Sequence, residues 1–73
     1  MQLRIQDITQ EIKTIEIHES AMVYDLQVAL KEKGFPYKKI WHAGMRLDDH
    51  LGESLDNLSV TADSGHVVLV SNE

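Results

Sequence analysis

The sequence predicts an α+β domain in which a mixed sheet of four to five strands packs on one main helix. Two segments near the start alternate between apolar and polar residues, and the segment after them has helical periodicity. A run of valine and leucine lies close to the end. With 73 residues, the chain has room for a single domain, so we expect residues 1–73 to fold as one unit.

The N-terminal residues predict a β-hairpin. Leu3 and Ile5 alternate with polar neighbours, as expected for a strand with one buried face. Ile15 and Ile17 repeat this pattern after a polar turn without glycine. Lys13 breaks the alternation, because strict period 2 would point it inward. Either a β-bulge or a lysine stem lying along the sheet edge would account for this residue.

The segment from Ser20 to Lys33 predicts an amphipathic helix. Ser20 is a suitable N-cap, and Asp25 places a negative charge in the first turn. Gly34 can adopt the left-handed conformation that ends a helix, and Pro36 prevents its continuation. The apolar stripe consists of Val23, Leu26 and Leu30.

The second half of the chain predicts short strands and a longer final one. Residues 40–42 form a short strand, Gly44 permits a reversal, and residues 45–47 return. The apolar run 67–70 is typical of a central strand with both faces partly covered. Between them, three residues anchor a short helical turn: Leu55, Leu58 and Val60.

This order of elements is that of a β-grasp fold. One helix must cover the apolar face of one sheet, and the connection from the hairpin to the third strand is long enough for a crossover. A ferredoxin-like fold would need a second full helix, which the sequence lacks.

Composition excludes several classes of function. The net charge of −5 repels nucleic-acid phosphates and anionic membranes, so we expect neither as a partner. The absence of cysteine and of an apolar leader favours a cytoplasmic or nuclear location. A core this small leaves little room for a catalytic pocket, so we expect no enzyme activity and no cofactor.

The side chains that could carry chemistry do not form a catalytic or metal-binding pattern. Asp48 and Asp49 suit a turn better than an acid–base pair, because no nucleophile or oxyanion motif accompanies them. No metal-ligand spacing is present among the four histidines, which are His18, His42, His50 and His66.

Several segments resemble ubiquitin and ubiquitin-like domains. Ala43-Gly44, followed by Leu47 and then Asp48-Asp49, is similar to their Ala-Gly-x-x-Leu-(Asp/Glu)-Asp segment. The start Met1-Gln2-Leu3 resembles Met-Gln-Ile, and Gly34-Phe35-Pro36 resembles the Gly-Ile-Pro that follows the helix. No segment is specific alone, but the ordered set extends over nearly the whole chain.

The resemblance implies a non-conjugated docking domain. The conjugated modifiers of the family end in Gly-Gly, whereas this chain ends Val70-Ser71-Asn72-Glu73. Of the lysines on which ubiquitin chains are built, only Lys33 is retained. We therefore expect a monomeric N-terminal module of a longer protein, which docks ubiquitin-binding domains, proteasome receptors or a neighbouring domain in cis. Two alternatives are a modifier with a truncated Gly-Gly tail and a β-grasp scaffold unrelated to ubiquitin pathways.

The resemblance also implies which residues bind the partner. Period 2 points Trp41 away from Ile40, and the family's pattern places Val68 and Val70 on the same exposed face. The alternative interpretation is that Trp41 is a residue of the hydrophobic core. The residues at or beside the family's apolar patch are Ile8, Trp41, Val68, Val70, Met45 and Arg46.

Overall fold

One helix packs on a mixed sheet of five strands in the computed structural model, which describes residues 1–72. The strand order is β2-β1-β5-β3-β4, with β1 and β5 parallel and the other neighbours antiparallel. The predicted α+β class is confirmed, and the arrangement is compatible with a β-grasp. The elements are β1 (Gln2–Gln6), β2 (Ile12–Glu16), α1 (Val23–Glu32), β3 (Lys39–His42), β4 (Met45–Arg46), a 3₁₀ helix (Asp48–His50) and β5 (Val68–Ser71).

The N-terminal hairpin has a continuous register without a bulge. β1 and β2 pair without interruption from Gln2 with Glu16 to Gln6 with Ile12. Lys13 therefore lies opposite buried Ile5, on the inner face. Because β2 is an edge strand, the lysine stem can run outward, and its Nζ lies 5.8 Å from the centre of the Phe35 ring. Of the two explanations for Lys13, the lysine stem at the sheet edge is correct.

The helix begins later than its sequence predicts. It starts at Val23, and the Asp25 carboxylate accepts a hydrogen bond of 3.0 Å from the backbone N–H of Met22. The N-cap prediction for Ser20 is wrong, because that residue belongs to a local turn. Its N–H donates to Nδ1 of His18 at 3.1 Å.

The C-terminus of the helix follows the prediction. Gly34 has φ +81°, and its N–H donates to the carbonyl of Lys31. The N–H of Phe35 donates to the carbonyl of Leu30 at 2.9 Å, which completes a Schellman motif. The Phe35 side chain also packs against the core, so the motif is anchored by an apolar contact.

The core lies between α1 and the inner face of the sheet. The helix contributes its predicted stripe, and the loop after the 3₁₀ helix contributes Leu55 and Val60, both fully buried. Residues 55–59 form the expected short helical turn, in which the N–H of Leu58 donates to the carbonyl of Ser54 at 3.3 Å and that of Ser59 donates to Asp56 at 3.0 Å. No helix within residues 1–72 is long and apolar enough to cross a bilayer.

The turn between β3 and β4 places an alanine in an unfavourable conformation. His42 pairs with Met45, so the loop contains only Ala43 and Gly44. Both have positive φ, 51° and 82°, which is the geometry of a type I′ turn. Glycine adopts this region freely, whereas the Cβ of alanine is crowded there.

Replacing Ala43 by asparagine is expected to raise the free energy of unfolding by roughly 0.5–1 kcal/mol, because asparagine tolerates the left-handed region and Asn-Gly suits this turn. Urea unfolding monitored by tryptophan fluorescence would measure the change. Ala62→Asn is the matched control, since Ala62 is exposed in a turn without positive φ and should gain nothing. Equal effects of the two substitutions would contradict the strain at Ala43.

Candidate functional site

The face of the sheet turned away from α1 carries a row of side chains, one from each strand. Gln6 pairs with Ile12 on one side and with Leu69 on the other. Leu69 pairs with Trp41, and Trp41 pairs with Arg46. Paired residues point to the same face of a sheet, so these side chains lie side by side across it. We call this set the outer row: Ile12, Gln6, Leu69, Trp41 and Arg46.

An open apolar depression lies along the centre of the outer row. Trp41 is half-buried, and Leu69 is 44% exposed to solvent. Ile8, in the loop between β1 and β2, is 66% exposed and lines the same depression. Three residues predicted for the site, Ile8, Trp41 and Val70, line this depression, together with Leu69, which sequence reasoning missed.

The predicted placement of Val68 and Val70 is wrong. Both side chains are buried in the core, with 1% and 2% exposure. The register of β5 with β3 sets Val70 opposite buried Ile40 and Leu69 opposite Trp41. The assignment implied by the family resemblance is therefore shifted by one residue along β5. A shift of one residue moves every side chain of a strand to the other face of the sheet. Leu69 occupies the place on the outer face that was expected for a valine.

Met45 also lies on the other side of the sheet from its expected place. It pairs with His42, whose side chain is buried, and it packs against the edge of the core. It lines a second depression with Leu58 and His66, away from Trp41. The prediction that Met45 lies at or beside the apolar patch is therefore wrong.

Arg46 is placed beside Trp41, as expected. Its guanidinium carbon lies 5.2 Å from the centre of the Trp41 rings, a cation–π distance. Its Nε donates to Oδ1 of Asp48 at 2.8 Å, and one terminal nitrogen donates to Oδ2. Asp48 also accepts a hydrogen bond of 3.0 Å from the backbone N–H of Ile40. We call these connections the Arg46–Asp48 clamp.

The clamp changes the ionisation of both of its side chains. The hydrogen bond from Arg46 is the main reason that the pKa of Asp48 falls to about 2 from its usual 3.8, with the Ile40 N–H contributing in the same direction. The same bond raises the pKa of Arg46. The pair therefore stays ionised at all physiological pH values, and the cation remains over Trp41.

Three cations lie on the outer face although the whole chain has a net charge of −5. Asp48 balances the charge of Arg46, and Asp7 is a carboxylate in the lining of the depression. Arg4 follows the same alternation as Gln6, and Lys39 the same alternation as Trp41, so both point outward with Arg46. Glu16 lies on this face too, but its carboxylate accepts a hydrogen bond of 3.1 Å from the Met1 ammonium group. An apolar centre with cations around it can hold a ligand that has apolar and acidic groups.

Replacing Asp48 by asparagine is expected to reduce the free energy of unfolding at pH 7 by about 2 kcal/mol, the stabilisation that corresponds to its lowered pKa. Since the folded-state pKa lies below the unfolded one, wild-type protein should lose this contribution as the pH falls from about 4 to about 2. The variant should lack that part of the acid dependence. Urea unfolding at several pH values would measure both effects.

Asp49→Asn is the control for this substitution, because Asp49 is an exposed neighbour in the same 3₁₀ helix. Surface substitutions of this kind change stability little. A similar loss in both variants, or an unchanged acid dependence in Asp48→Asn, would show that the clamp does not stabilise the fold.

Comparison with known proteins does not assign the chain to a family. A scan against protein-family models finds no match, and a search of curated protein sequences finds no significant match. The functional interpretation therefore depends on the outer row, the depression beside it and the charges around them.

Proposed function

We propose that this domain is a non-conjugated ubiquitin-like module that docks protein partners, namely ubiquitin receptors or the proteasome, on the outer face of its sheet. The observation that supports the proposal is the meeting of Trp41, Leu69 and Ile8 around one open depression. Partly exposed aromatic and aliphatic side chains in a shared depression are typical of the centre of protein interfaces. The ubiquitin-like assignment is part of the proposal, supported by the sequence resemblance and by a strand order compatible with a β-grasp.

The Arg46–Asp48 clamp supports this role, because it orders the aromatic side chain before a partner arrives. Arg46 covers part of the Trp41 rings, and Asp48 fixes Arg46 with two hydrogen bonds. A side chain that is already ordered loses less conformational entropy on binding. Trp41 is therefore suited to be the main anchor of an interface.

The charges around the depression favour an acidic partner. Arg4, Lys39 and Arg46 share the outer face, whereas the chain as a whole would repel an acidic molecule. A partner helix with one apolar side and carboxylates next to it would fill the depression and contact the cations. We propose an acidic amphipathic helix, of the ubiquitin-interacting kind, as the segment that binds.

The last described residues support docking by the folded domain. The side-chain oxygen of Asn72 accepts hydrogen bonds from the backbone N–H groups of Tyr37, at 3.1 Å, and Lys38, at 3.4 Å. Asn72 is thus hydrogen-bonded to the segment that leads into β3. This attachment favours recognition of a surface over presentation of these residues as a flexible tail.

Trp41→Ala is expected to weaken binding of a synthetic ubiquitin-interacting helix by about 2 kcal/mol or more, about 30-fold in Kd, while the domain stays folded. Isotope-labelled domain titrated with the peptide would give the affinity and the amides that shift. We expect those amides in β3 and β5, around Trp41 and Leu69. Unfolding of Trp41→Ala without a separable loss of binding would exclude the docking role.

Two control variants lie on the opposite side of the molecule. Tyr24 and Val28 are exposed on α1, at 57% and 37%, and match Trp41 and Leu69 in chemical type. Tyr24→Ala and Val28→Ala should leave the affinity unchanged, whereas Leu69→Ala should reduce it. If the α1 variants weaken binding and the sheet variants do not, the docking face is on the helix.

A further inference from the structure

The docking proposal leaves one buried titratable side chain without a role. His42 follows Trp41 in β3 and points to the opposite face, where it is 4% exposed. It lies opposite Val68 in the register of β3 with β5. His42 is thus buried on the inner face of the sheet, next to Trp41 in the same strand.

His42 is held by the segment that leads into β5. Its Nε2 lies 3.0 Å from the Oγ of Ser64. Its ring meets that of His66 edge to face, with centres 5.7 Å apart and planes at 77°. The N–H of His66 donates to the same Ser64 oxygen at 3.3 Å, which joins the three residues into one cluster. We call it the His42 cluster: His42, Ser64 and His66.

The surroundings of the His42 cluster contain little that could stabilise a positive charge. The depression beside it is lined by Met45 from β4 and by the segment 56–61, with Asp56 as the carboxylate among the lining residues. Within residues 1–72, no ion pair joins Asp56 to either histidine. The charged form of His42 would thus face apolar packing and a second histidine.

These surroundings favour neutral His42 in the folded state. Burial is the main cause that lowers its pKa below the usual 6.5, and the charge of His66 acts in the same direction. The unfolded chain binds a proton near pH 6.5. Since the folded state takes up that proton only at lower pH, stability is lost as the pH falls below 6.5 towards the folded-state pKa.

We propose that the His42 cluster is an acid-sensitive latch, whose protonation releases the segment 64–66 and loosens the pairing of β3 with β5 behind the docking face. The geometry connects the two events, because the pair His42 with Val68 is adjacent to the pair Trp41 with Leu69. Separation of β3 from β5 would move apart Trp41 and Leu69, two of the side chains that line the depression. Only this last consequence rests on the proposed function.

Urea unfolding at a series of pH values between 7.5 and 5.5 tests the latch without any partner. Wild-type protein should keep its stability from pH 7.5 to about 6.5 and lose it as the pH falls further. His42→Gln keeps a hydrogen-bonding group near Ser64 but cannot be protonated, so its pH dependence should be much weaker. His18→Gln is the control, because His18 is exposed and outside the cluster, and this variant should behave as wild type. Equal pH dependence in His42→Gln and wild type would overturn the latch.

NMR of the imidazole groups provides a second readout, which remains decisive if His42→Gln does not fold. In the wild-type domain, His42 should titrate below pH 6.5 and its titration should coincide with shifts of the β3 and β5 amides. His66→Gln should move the His42 titration to higher pH, because one repulsive neighbour is removed. A His42 titration at or above pH 6.5, or one without amide shifts in β3 and β5, would overturn the proposal.

Binding of the synthetic helix at pH 7.5 and 5.5 separates this inference from the docking proposal. If both hold, the peptide should bind more weakly at pH 5.5 to wild type, and equally at both pH values to His42→Gln. A latch that opens in the stability and NMR measurements, in a domain that binds no peptide at either pH, would refute docking and leave the latch in place.

Discussion

The pairing of β3 with β5 determines which residues this domain hides and which it presents. One register sets Ile40 against Val70 in the core and Trp41 against Leu69 on the outer face. β5 also pairs with β1 on its other side, so the same register continues to Gln6 and the hairpin. Because side chains alternate with period 2, a slip by one residue would exchange the core face and the outer face. The buried valines of β5 oppose such a slip, since exposing them would lose the apolar contacts with the helix layer.

Asp48 compensates for the shortness of β4, which has only two residues and cannot hold the sheet edge through many backbone pairs. The Asp48 carboxylate joins the Ile40 backbone in β3 to the Arg46 side chain in β4. Next to it, the N–H of Leu47 donates to the carbonyl of Ile40 at 2.7 Å. Both backbone groups of Ile40 are therefore bound at the edge, and the strand that carries Trp41 is fixed from the side opposite β5.

The sequence predicts those features that one segment determines alone, namely the hairpin, the helix with its glycine terminus and the central final strand. It fails where the orientation of a side chain depends on the segment with which its own segment pairs. The run 67–70 is apolar throughout, so its alternation cannot distinguish the buried Val68 and Val70 from the exposed Leu69, and only pairing with β3 decides. Ser20 has the right chemistry for an N-cap but bonds to His18 instead. The clamp could have been suspected from the spacing of Arg46 and Asp48, which places an acid two residues after the cation at the end of a short strand.

Two titratable systems of opposite kind contact β3, the Arg46–Asp48 clamp on the outer side and His42 on the inner side, and acid acts on them in different pH ranges. On the outer side, the ionised pair of Arg46 and Asp48 is stable down to the lowered pKa of Asp48, about 2. On the inner side, burial is the main cause that lowers the pKa of His42 below its usual 6.5, so the folded state favours the neutral imidazole. As the pH falls, the destabilisation through His42 begins near pH 6.5, where the unfolded histidine takes up its proton, whereas that through Asp48 begins only near pH 4. Trp41 would thus lose support from the pairing of β3 with β5 at a higher pH than it loses support from the clamp.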